Sequence, residues 1–106
     1  MALPTYTQDP NDRLDYTMDW SAEMTALADT IDQSEWFPPV GLTATGDFFT
    51  DTAATVFLSG GVVGETYIVS NRITTVGGRV IERSIKLKLK AYSPSMNTLA
   101  RSLLRF

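Results

Sequence analysis

The side chains best suited to chemistry in this 106-residue chain are carboxylates. Asp9, Asn11, Asp12 and Asp15 place oxygen ligands close together, the raw material of a calcium loop. The hinge glycine and closing glutamate of an EF-hand are missing, so the group reads as a solvated turn. Asp29 and Asp32 are spaced as an acid/base pair would be, but nothing in the sequence converges on them and surface charge is the better reading. The chain has no histidine and no cysteine. That removes the usual general base, the Ser-His triad, thiol chemistry and zinc sites of the cysteine type. A Ser-Lys arrangement has no motif to support it. The expectation is a protein that is not an enzyme, with no cofactor and no metal.

Charge is distributed unevenly along the chain. Up to Glu65 the only basic residue is Arg13; beyond it Arg72, Arg79, Arg83, Lys86, Lys88, Lys90, Arg101 and Arg105 face a single acid, Glu82. Such asymmetry suits a nucleic-acid patch, or faces of opposite sign that meet between subunits or within one molecule. The stripe Lys86, Lys88, Lys90 lacks the interleaved aromatics of a nucleic-acid surface and reads as a solvated strand face, so no nucleic-acid partner is expected. No apolar run reaches the length of a membrane span, and the first residues lack the layout of a signal peptide. Synthesis in the cytosol follows as the expectation, with use there or assembly into something larger.

The elements that must position these residues are strands. Leu14 to Ala22 alternates, with Leu14, Tyr16, Met18 and Trp20 on one face and Asp15, Thr17 and Asp19 on the other. Residues 23 to 29 allow one helical turn, treated as a connection. Thr30 to Phe37, Leu42 to Phe49 and Thr52 to Leu58 follow as short strands, the first stopped by Pro38-Pro39. Thr66 to Val76 and Arg79 to Ala91 form a long hairpin. A two-residue Gly77-Gly78 turn would set Val69 against Lys86 and mix apolar with lysine faces. A three-residue loop Val76-Gly77-Gly78 with a G1 bulge instead pairs Ile73 with Ile81, Asn71 with Arg83, Val69 with Ile85 and Tyr67 with Leu87. The hairpin is then core strand below Asn71 and Arg83, and above them a polar ribbon whose tip projects.

These strands, six or seven in number, predict an all-β protein, a β-sandwich spanning residues 14–91. Residues 1–13 read as an extended N-terminal arm, and residues 92–106 as a C-terminal arm or short helix capped by Ser95. Trp20 and Trp36 are expected to fill the inter-sheet core, and Tyr67, shortly after Gly64, to form a tyrosine corner. The apolar residues Leu99, Leu103, Leu104 and Phe106, with Gly77, Gly78 and Arg79 at the hairpin tip, are the candidate partner contacts.

The segments DYTMDWSA, TIDQSEWF and ATVFLSGGVVGETYIVSNRITTVGGRVIERSIKL together resemble the fiber-tail adaptor proteins of tailed phages. The resemblance implies an immunoglobulin-like fold and a structural role in the virion, in the tail or neck, holding fibers or neighbouring tail proteins. It implies as partners a tail adaptor, a nozzle or tube, the fiber, and further copies of this chain around the tail axis. A capsid decoration protein and a carbohydrate- or surface-binding sandwich using an exposed Trp20 or Trp36 are the alternatives.

Overall fold

The computed structural model describes residues 3–91. Seven strands and one helix succeed one another: β1 (Thr5–Gln8), β2 (Arg13–Asp19), α1 (Ser21–Leu27), β3 (Ile31–Phe37), β4 (Leu42–Phe49), β5 (Ala53–Gly60), β6 (Thr66–Thr75) and β7 (Val80–Leu89). The strands build two sheets, ordered β1-β7-β6-β3 and β2-β5-β4. In immunoglobulin lettering these are A′-G-F-C and B-E-D, the sandwich order with the first strand moved to the G edge. All pairings are antiparallel except β1 with β7.

The alternation of β2 follows from its pairing. Leu14, Tyr16 and Met18 stand opposite Leu58, Val56 and Ala54, all three of which are fully buried. Met18, Tyr16 and the fully buried core residues Val56, Leu58, Val69 and Leu87 belong to a lower cluster that also holds Tyr67 and Ile85. Trp20, Met24, Ile31, Ala54 and Ile73 form an upper cluster, with Met18 and Trp36 packed against both. Trp20 keeps the inward side that the alternation assigns to it, but the ladder stops at Asp19 and the chain turns into α1. The expected connection at residues 23–29 is therefore a helix whose Met24 covers the upper core, closed by Ala28 at φ 51°.

The hairpin has the register that its sequence demands. Tyr67 faces Leu87, Val69 faces Ile85, Asn71 faces Arg83 and Ile73 faces Ile81. Gly78 donates to the Thr75 carbonyl (2.9 Å) at φ 87°, the left-handed residue of a three-residue turn with a G1 bulge. Tyr67 also forms its corner: the Val62 N–H donates to its hydroxyl at 3.0 Å.

Two expectations require correction. The first concerns residues 1–13, expected as an extended arm outside the sandwich, which over their described part contribute a strand to the first sheet. Thr5–Gln8 lies parallel on β7, with Lys86 donating to Pro4 O and Lys90 to Gln8 O. Gln8 is fully buried; its Nε2 donates to Leu58 O (2.8 Å) and Asp12 O (3.0 Å), and its Oε1 accepts from the Tyr16 hydroxyl. A buried amide with every bond satisfied can replace an apolar side chain in a core, and a strand anchored this way shows no apolar signature. The second concerns the upper half of the hairpin, which is not a projecting ribbon. Ile73 and Thr75 are buried, and Asn71 is a core hub rather than a polar waist. Residues 92–106, including the expected helix and the contacts Leu99, Leu103, Leu104 and Phe106, lie outside the described residues.

Candidate functional site

The upper end of the sandwich gathers three connections: α1 with the residues after it, the β4–β5 turn and the hairpin tip. Backbone bonds lock them together. Trp20 donates to Thr52 O (2.8 Å), Ile31 to Asp51 O (2.9 Å) and Val76 to Thr30 O (2.9 Å).

Asp29 is the centre of this end. Its Oδ1 accepts from the N–H groups of Thr30 (2.9 Å) and Gly77 (3.0 Å), and its Oδ2 from Arg79 Nη1 at 2.7 Å. The side chain of Asp29 is 6% exposed, whereas that of Arg79 is half-exposed. Stabilised first by the Thr75 hydroxyl, then by these backbone amides and Arg79, the carboxyl is held down at about 2 despite its desolvation. A Cβ at Gly77 would stand 2.7 Å from Asp29 Oδ2 and 2.8 Å from Arg79 Nη1, so a side chain there would have to displace this ion pair. The carboxylate that the sequence offers as half of an acid/base pair is thus a structural lock, and Asp32 lies outside it.

The tip residues expected to contact partners are consequently fixed rather than mobile. Gly77 and Arg79 face the lock, Gly78 stands open, and Val76 (68%) and Val80 (62%) expose apolar surface beside them. Behind Val76 a shallow pocket of about 330 Å³ opens among Met24, Thr25, Ala28, Asp29 and Thr52. The valines and this pocket are what the sequence reading missed, because isolated apolar residues beside glycines carry no pattern. Their closeness to α1 comes from long-range pairing.

Other sequence candidates resolve as scaffold. Asp9 Oδ1 accepts the Asn11 N–H (2.8 Å) and Asp9 O accepts from Asp12 (2.9 Å), so this acidic stretch is a self-bonded turn. Among the described residues no group of three or more acidic side chains is placed to hold a metal ion. Lys86 and Lys88 lie opposite Thr5 and Thr7 of β1 and opposite Ile68 and Thr66 of β6. Trp20 is fully buried, its Nε1 donating to Asn71 Oδ1 at 2.8 Å, which corrects its use as a glycan-stacking platform; Trp36 is half-buried.

The fold is thus an all-β sandwich in which Asp9, Asp29 and Trp20 are held by hydrogen bonds within the structure, and whose exposed apolar residues include Val76 and Val80 at the tip as well as Val40, Val62 and Val63 elsewhere. The family described as podophage GP4 fiber-tail adaptor protein gp77 matches residues 8–88, which is the whole sandwich but for most of β1 and the last residue of β7. The chain belongs to this family of phage tail proteins. No curated protein matches it.

Proposed function

We propose that this protein is a non-enzymatic adaptor in the tail or neck of a tailed phage, made in the host cytoplasm, that holds fibers or neighbouring tail proteins and packs beside further copies of itself. The observation that carries this reading is the family match over residues 8–88, which includes both the locked tip and the sheets that support it. The contacts are assigned to the tip (Gly77, Gly78, Arg79, with Val76 and Val80) and to Leu99, Leu103, Leu104 and Phe106 of the C-terminal segment. A preformed tip loses little entropy on docking, which suits a part that must be recognised repeatedly around an axis. Cryo-electron microscopy of the particle tests the reading, with density for the sandwich expected at the tail or neck; density on the capsid shell would mean a decoration protein instead. Removal of Ser93–Phe106 is expected to leave a folded sandwich that no longer enters particles. Normal incorporation of that truncated chain would remove the C-terminal segment from the contact set.

A further inference from the structure

β3 and β4 are edge strands of different sheets on the same side of the sandwich. Between them lies a cleft of about 300 Å³, lined by Ser34, Glu35, Trp36, Ala44, Asp47 and Val56. Its apolar lining is core: Val56 is fully buried in the lower cluster, and Trp36 and Ala44 pack against it. The β4 ladder breaks between Thr45 and Phe48, and Asp47 sits in that break. Among the described residues neither Glu35 nor Asp47 has an ion-pair partner.

One further atom of the lining residues lacks a partner. Trp36 Nε1 is buried and has no hydrogen-bond partner among the described residues. A buried N–H left unpaired costs about 1–3 kcal/mol, a cost that an acceptor in the cleft relieves only if the indole turns toward it. Two unpaired strand edges, an apolar floor, rim carboxylates and an orphan donor suit an extended chain that carries apolar and basic side chains.

The chain contains such a segment. Residues 92–106 include Leu99, Leu103, Leu104 and Phe106 with Arg101 and Arg105, and no acidic residue. They continue β7, which runs in the same direction as β3 because both are antiparallel to β6. The chain therefore leaves the lower end of the sandwich heading away from its own cleft, which opens beyond β6 and β3. Entering that cleft requires a reversal beneath both strands; where copies stand side by side, the cleft of the next one can be reached without it.

We propose that the β3–β4 cleft is the acceptor for residues 92–106 of a second copy of this chain. This rests on the reading that copies stand side by side in the tail. The contact is heterologous, one copy giving its end and the next its cleft, and such contacts close into rings or propagate.

The natural chain has no cysteine, so introduced ones report without background. Pro38→Cys at the cleft, combined with Ser102→Cys or with Thr98→Cys, is carried into particles and oxidised. A ladder of disulfide-linked multimers on a non-reducing gel is expected for at least one pair and for none of the three single variants. Adding Asp47→Lys should lower the yield several-fold. A link confined to single chains would overturn the assignment to a second copy, and no link with either pair would overturn the cleft as acceptor. A yield indifferent to Asp47→Lys would sink the charge recognition. If the natural chain is absent from particles the tail reading itself falls, and the same crosslink in purified protein at high concentration then decides on the cleft.

Discussion

Asn71 shows how one side chain can take over the work of a missing covalent link. It accepts from Trp20 Nε1 (2.8 Å), a fully buried bond, and donates to Ser34 Oγ (2.9 Å) and Glu35 O (3.0 Å) in part-buried ones. In this way it ties the end of β2, across the core, to β3. Its sequence signal is only that an asparagine interrupts an apolar face opposite Arg83. That sufficed to set the register but not to tell a core hub from a polar waist, because its partner Trp20 lies far away in the chain. Arg83 in turn lies 5.7 Å from the Trp20 ring, a cation–π contact that covers the hub from outside. Replacing Asn71 with Ala leaves the indole N–H and the Glu35 carbonyl unpaired and opens a cavity. The expected loss is about 3 kcal/mol by urea denaturation; a loss below about 1 kcal/mol would mean that water substitutes for the amide.

At the scale of elements, the hairpin was legible almost entirely in the sequence. Its face pattern admits a single register, and the glycine pair supplies the left-handed residue that the turn requires. What the pattern does not contain is the attachment of the tip to α1, since Asp29 is remote from Gly77 in the chain and looks like any surface carboxylate. β1 was illegible for the related reason that Thr5–Gln8 has no apolar alternation of its own and is recruited by β7. The tip lock has a pH signature. The folded-state value for Asp29 lies below its ordinary 3.8, at about 2, so its contribution is fully present above the ordinary value. It is lost as pH falls from there toward about 2. Asp29→Asn should therefore be less stable than the natural protein at pH 6, and the gap should shrink on acidification through that window. Denaturation midpoints at pH 6, 4 and 2.5 measure this, and a gap independent of pH would show that the ionised carboxylate is not what holds the tip.

For the whole molecule, the absence of disulfides is met by two buried amides at opposite ends of the sandwich. Asn71 ties the upper end; Gln8 ties the lower by joining β1 to the Leu58 carbonyl of β5 in the other sheet. Gln8→Ala should cost about 2 kcal/mol, since it leaves the Leu58 carbonyl and the Tyr16 hydroxyl without this partner. Hydrogen exchange should quicken first at the Lys86 and Lys90 amides, which donate into β1. Uniform acceleration across all strands would mean that β1 is no separate unit. The pairing of β1 with β7 also sets an order of events during synthesis. Among the described strands, residues 5–8 leave the ribosome first and their partners 86–89 last. The first sheet therefore cannot be completed until β7 has been made, and a polypeptide that stalls before it keeps an unclosed edge. Timing built into the strand order thus makes synthesis through β7 the condition for presenting a closed sheet.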